Sequence, residues 1–375
     1  MPDSKPILHN RLCDELGIEY PIFLAGMGGR NNPTPPELVA AVCEAGGMGV
    51  LGVAALDAEE IRYRIREVRR LTNRPFGVDT LMPVRLTEAA PTRSGVRHQI
   101  QKNHPDHWQF MEEFTARQGL EAHPVENEIV ADNSFMRLQL DAILDEKVPL
   151  FVAALGDPGF IEERAHAQGM KLMGIAGNVR NARRQVDAGT DLVIAGGNEA
   201  GGHIGPIASF PLIPQLVDAI APVPVVAAGG IADGRGVAAA LALGAQAVWV
   251  GTAFLVADEC GIPESQKQEI IDSQSTDFVV SRAWTGKPTR SFNNPMTRAW
   301  AESDLEPLEA PVQKILVEDF QQAAIDTARE ELWFNPAGQV GGMLTRRRPA
   351  AEIFEDMVTG AIDVLKELQS NVRIG

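Results

Sequence analysis

The 375-residue sequence predicts an α/β fold, a (β/α)8 TIM barrel with an insertion after the third strand and a C-terminal helical extension. Three features point there. Eight short runs are apolar throughout, as strands buried on both faces must be, instead of alternating like half-exposed strands. Segments of helix length separate these runs. Glycine or another small residue follows nearly every run, at the end where such barrels carry their working loops. A doubly wound open sheet would share the alternation, but eight repeats favour the barrel.

In chain order, the first strand is expected at Tyr20–Met27, followed by the helix "PPELVAAVCEAGG" with prolines at its start and glycines at its end. Cys43 within it reads as a small buried apolar residue. Met48–Val53 is the second strand, and "DAEEIRYRIREVRRLTN" is a helix with an aspartate entry and i,i+4 charge pairs. Pro75–Leu81 is the third. Residues from about 85 to 133 are too long for an ordinary βα connection and read as an inserted helix and loop over the barrel mouth. The histidines there, His98, His104 and His107, lack matching carboxylates or cysteines at metal-ligand spacing. No metal is expected, and the segment reads as a solvated lid. The remaining strands are Val148–Leu155, Lys171–Gly177, Asp191–Gly196, Val223–Gly230 and Ala247–Phe254. Residues 1–285 are taken as the barrel, and 286–375 as a helical extension packed on it.

Composition narrows the function. A 45% hydrophobic, 22% charged chain is ordinary for a soluble globular protein. Its net charge of −16 argues against a nucleic-acid partner, which calls for a basic face. Cys13, Cys43 and Cys260 are too few and scattered for a disulfide framework or a zinc site. No run has signal-peptide or membrane-spanning character, so the cytoplasm is expected and no membrane partner. A homo-oligomer is compatible with these numbers.

The chemistry concentrates in glycine-rich turns: "AGM" at Ala25–Met27, "AGN" at Ala176–Asn178, "AGGNEAGGHIGP" at Ala195–Pro206, "AAGGIADGRG" at Ala227–Gly236 and "VGTAF" at Val250–Phe254. Small residues let a flat ring and a phosphate approach backbone N–H groups. Two of these turns follow strands seven and eight, where barrels commonly bind phosphate. A phosphate-bearing flat cofactor is the inference, with FMN the natural candidate. His203, in a glycine turn after a strand, can take a proton at neutral pH and is the candidate catalytic base. Glu199 reads as a brace for the turn, and Asp233 with Arg235 as helix capping and a surface pair. Phe23, Met27, Met82 and Trp249 are candidates for an apolar wall over the ring.

These pieces, with "PELVAAVCEAGGMGVLG", "DLVIAGGNEAGGHIG", "VPVVAAGGIADGRGVAAALALGAQAVWVGTAF" and "WTGKPTRSFNN", resemble in order the nitronate monooxygenase family. The same turns occur in flavin-dependent enoyl-ACP reductases and some NADH:quinone reductases. The resemblance implies FMN, a small-molecule nitronate and O2, with His203 as catalytic base. It implies that Ala25, Gly26 and Met27 lie near the flavin ring, with Ala176, Gly177 and Asn178 and with Gly201 and Gly202. Gly229 and Gly230, and then Val250, Gly251 and Thr252, fall towards the phosphate. The chain departs from the family at three amides: Asp79 replaces an asparagine, and Gly196 and Trp249 replace glutamines. An ionised aspartate accepts hydrogen bonds but cannot donate like an amide. Two rival functions follow: an NAD(P)H-dependent flavin reductase and a non-catalytic flavin-binding protein.

Overall fold

The computed structural model describes residues 6–29, 31–54, 56–82, 92–125 and 133–371. Its strands in chain order are β1 (Ile22–Leu24), β2 (Gly49–Gly52), β3 (Phe76–Leu81), β4 (Leu150–Ala154), β5 (Lys171–Ala176), β6 (Leu192–Gly196), β7 (Gly202–His203), β8 (Val225–Ala228), β9 (Ala247–Val250), β10 (Phe278–Ser281) and β11 (Thr289–Phe292). Eight of them form one parallel sheet in the order β1-β9-β8-β6-β5-β4-β3-β2. A parallel bridge between Phe23 and Met48 joins β1 back to β2 and nearly closes the barrel. All eight expected strands are present, each trimmed at its ends. The first shortens most, to Ile22–Leu24, and the last ends early because the chain turns at Gly251 into the helix Thr252–Leu255.

The strands are apolar throughout because both faces are buried. Phe23, Met48, Val50, Leu150, Val152, Met173, Ile194, Val226 and Trp249 fill the barrel interior. Val78, Phe151, Leu172, Val193 and Val248 face the surrounding helices. Leu12 and Cys13 of the helix Arg11–Leu16 pack into the interior cluster beside Ile18. Asn10 starts that helix by accepting from the Cys13 N–H, and Gly17 ends it in the left-handed region.

The long insertion differs from the expected solvated lid. The part of it at 85–91 and 126–132 lies outside the described residues. The rest contains two helices, Arg93–Asn103 and Pro105–Arg117, which share a buried core with the C-terminal extension. Val96, Ile100, Met111 and Phe114 pack with Trp284, Trp300 and Phe320. Arg97, only 8% exposed, donates to Asp319 at 2.6 Å and to Glu318 at 3.2 Å, and Arg93 donates to Glu318 at 3.0 Å. Sequence periodicity shows one face of each helix but not what covers it. The final helix, Ala350–Asn371, returns to the barrel and sets Phe354 against the edge of Gly47. Among the described residues no helix is long and apolar enough to cross a membrane.

Candidate active site

The loop after β6 folds over the barrel mouth and is fixed at four points. The Glu199 carboxylate accepts from the Ser209 N–H at 2.9 and 3.1 Å and lies 2.9 Å from the Ser209 hydroxyl. Glu199 therefore braces the turn. Buried Arg290 donates from Nη2 to the carbonyl and side-chain oxygens of Asn198, each at 3.0 Å, and from Nη1 to the Phe278 carbonyl at 2.7 Å. Asn198 in turn donates to the Gly205 carbonyl at 2.9 Å. The loop then runs as β7 against β11, His203 opposite Thr289 and Gly202 opposite Arg290.

A segment without an expected role completes the enclosure. The Gln339 N–H donates to the Glu199 carbonyl at 3.0 Å, and the Gly338 N–H to the Thr252 hydroxyl at 2.9 Å. The C-terminal extension thus ties the glycine turn after β6 to the turn after β9. The small sheet of β7, β10 and β11 was also not anticipated. Its strands are two to four residues long, and β11 falls within "WTGKPTRSFNN", one of the pieces that carry the family resemblance.

His203 sits at the rim with Nε2 3.2 Å from the Thr285 hydroxyl. That hydroxyl lies 3.3 Å from the Lys287 carbonyl and 3.2 Å from the Thr289 hydroxyl. The ring is open to solvent, yet it stands in a cleft crowded by protein. This desolvation, with the positive charges of Lys287 and Lys314, pushes the imidazole down to about 4. His203 is therefore neutral at physiological pH.

The glycines of the mouth divide into two kinds. A Cβ on Gly26 would stand 2.4 Å from the Asp79 Cβ, one on Gly201 2.6 Å from the Ala337 carbonyl carbon, and one on Gly229 2.9 Å from the Ser209 hydroxyl. These glycines let protein pack on protein. A Cβ on Gly202 would meet nothing within 4 Å, and one on Gly230 nothing nearer than Glu199 at 3.8 Å. On Gly251 it would meet Ala25 and Met27 at 3.4 Å. Side chains at Gly202 and Gly230 would project into open space, as a ligand cradle requires, and one at Gly251 would meet only van der Waals contacts. Gly229 and Gly230 both have left-handed backbone, φ +96° and +74°, and neither N–H is hydrogen-bonded among the described residues.

Other expected positions contribute differently. Ala25 and Trp249 lie on the inner face, Trp249 with its ring 6.4 Å from that of Phe23. Ala176 and Val250 turn their side chains to the outer helices, leaving only backbone for the mouth. Met82 also belongs to that outer layer, so it forms no wall over the ring. The Asn178 side chain caps the helix Val179–Asp187 by accepting from the Asn181 N–H at 2.9 Å. Gly177 lies against Gly205, its added Cβ 3.3 Å from the Gly205 Cα. Asp233 caps the helix Gly234–Ala242 and pairs with exposed Arg235.

Asp79 is the exception. Its neighbours Phe76 and Val78 pack outward, so alternation along β3 turns Asp79 inward. It is 6% exposed, and no hydrogen bond reaches its carboxyl group among the described residues. An open glycine cradle, unpaired backbone donors and an unpartnered buried acid at one mouth fit a flat phosphate-bearing cofactor.

The profile of the nitronate monooxygenase family matches residues 9–360. The chain belongs to the nitronate monooxygenase family. It is 33% identical over 360 residues to a Staphylococcus aureus protein named "Probable nitronate monooxygenase", covering 93% of this chain and 96% of the relative. A nitroalkane oxidase from Streptomyces ansochromogenes superposes with TM-score 0.81 at 31% identity, over 96% of this chain and all of that one, 100%. FabK from Thermotoga maritima superposes with TM-score 0.76 at 29% identity, covering 97% of this chain and 100% of that one. Membership in this family makes the chain a flavin-dependent oxidoreductase.

Proposed function

We propose that the protein is an FMN-dependent nitronate monooxygenase that oxidises alkyl nitronates with O2 to a carbonyl compound and nitrite. The observation that carries this reading is His203 at the rim of the glycine cradle, its Nε2 3.2 Å from the Thr285 hydroxyl and its imidazole within the field of Lys287 and Lys314. Gly229 and Gly230, with Gly251 and Thr252, would hold the phosphate end of FMN. The backbone of Ala25–Met27, Ala176–Asn178 and Gly201–Gly202, with the inner face at Trp249, would line its ring. Bound FMN supplies the redox chemistry, taking electrons from the substrate and delivering them to O2.

The chain's own contribution is charge and proton placement. When the Thr285 hydroxyl donates to the Lys287 carbonyl, its oxygen can accept a ring proton from His203 Nε2, which leaves the lone pair on Nδ1. Nδ1 can then accept the α-proton of a neutral nitroalkane, or remain beside a substrate that arrives already ionised. Lys287 and Lys314 favour the anion in both cases. Their local charge opposes the −16 of the whole chain, which would otherwise repel an anionic substrate. We propose the cytoplasm as its compartment, in keeping with three free, buried cysteines.

The second reading is an NAD(P)H-dependent flavin reductase, supported by the likeness to FabK. One experiment separates the two. The purified flavoprotein is mixed without oxygen with an alkyl nitronate or with NADH, and the visible flavin band is followed. Rapid bleaching by nitronate, with nitrite released once air is admitted, supports the monooxygenase. Rapid bleaching by NADH alone overturns it.

A further inference from the structure

Among the described residues, Asp79 is a buried acid with no hydrogen-bond or ionic partner for its carboxyl group. On its own strand Gly77 is the inward neighbour, and in register it lies opposite Gly52 of β2 and Val152 of β4. Gly26 and Val50 pack alongside, since a Cβ on Gly26 would stand 2.4 Å from the Asp79 Cβ and 3.0 Å from Val50 Cγ1. None of these neighbours titrates or carries charge. An ionised carboxylate in such a place has little solvation and neither pairing nor donors, an unfavourable setting that favours the protonated group. Burial alone holds Asp79 well above the usual carboxylate range.

From this geometry we infer that Asp79 is kept as a neutral carboxylic acid and donates its O–H to an acceptor on the flavin ring. The inference rests on the flavin reading of the mouth. It revises the expectation that an aspartate here can only accept: a protonated carboxyl is a donor, as the amide it replaces would be. An ionised Asp79 would also oppose the negative charge that reduction places on the ring, whereas the neutral acid stabilises it.

The test compares flavin-loaded wild type, Asp79→Asn and Asp79→Ala at pH 7. Infrared difference spectra between wild type and Asp79→Asn are read for the carbonyl stretch of a protonated carboxyl group, and FMN dissociation constants are measured by fluorescence. The expected result is a protonated-carboxyl band that Asp79→Asn lacks. Asp79→Asn should hold FMN within about threefold of wild type, and Asp79→Ala should bind it about tenfold more weakly, the worth of one hydrogen bond. A carboxylate band in its place, or undiminished FMN affinity in Asp79→Ala, overturns the inference while leaving the flavin reading intact. Failure of the wild type to bind flavin overturns both.

Discussion

Two acids stand at the same barrel mouth, and the structure treats them in opposite ways. Glu199, in the loop after β6, is met by the Ser209 N–H and hydroxyl. Asp79, within β3, has no charged or hydrogen-bonding side-chain partner among the described residues, only burial. A buried polar group with its partners in place belongs to the scaffold; one left without them marks where a ligand must supply the missing partner. The glycines repeat the distinction: Gly201 and Gly229 are pressed against protein, while Gly202 and Gly230 face open space.

If the unpartnered side of the mouth carries the chemistry, the largest functional loss belongs to His203. His203→Asn should lower nitroalkane turnover by roughly 10²–10⁴-fold while flavin content stays at the wild-type level. Loss of flavin together with activity would move His203 to the scaffold side. On the scaffold side, Glu199→Ala should cost about 3 kcal/mol of stability, because the Ser209 N–H and hydroxyl lose their acceptor together. Thermal or denaturant unfolding reads this directly, and an unchanged midpoint would break the comparison.

A smaller effect concerns pH. His203 must be neutral to act as a base, so activity that depends on it persists above its pKa and fades as pH falls through about 4. Lys287→Met removes one of the two charges that press it down, and the acidic limb of kcat/KM for a neutral nitroalkane should move to higher pH. A limb already near the ordinary histidine range in wild type would contradict the geometry. Asp79 works in the other direction on stability. Its folded pKa is raised, so the flavin-free fold loses stability as pH climbs from the usual carboxylate range towards that raised value. Asp79→Asn should flatten this dependence. The smallest change is expected from Gly196→Ala, whose Cβ would sit 3.3 Å from Ile175. It should shift stability by about 0.5 kcal/mol or less, and a large loss would show that the opening there is needed for the fold.

Much of this was readable in the sequence, for identifiable reasons. A strand buried on both faces leaves a continuous apolar run, so all eight barrel strands could be located from runs such as "DLVIAGG" and "VPVVAAGG". Glu199 reads as a brace from its place in the glycine turn, and its partner, Ser209, lies only ten residues further on. What depends on remote pairing left no local pattern. Gly338 meets Thr252 and Gln339 meets Glu199 across more than a fifth and more than a third of the chain respectively, and Arg97 finds Asp319 from the insertion. The acid at Asp79 was visible as a departure from the family. Its protonation was not, since that follows from what surrounds it.

The central claim is that the mouth separates a self-satisfied scaffold from a surface completed by flavin. The most direct test is thermal unfolding of Glu199→Ala and Asp79→Ala, each measured without flavin and with saturating FMN. Flavin-free Glu199→Ala should unfold well below wild type. Asp79→Ala should stay within about 1 kcal/mol of wild type without flavin, since it loses no internal partner, yet gain less stability on adding FMN. An Asp79→Ala protein more damaged than Glu199→Ala without flavin, and stabilised by FMN as much as wild type, would contradict this division of the mouth.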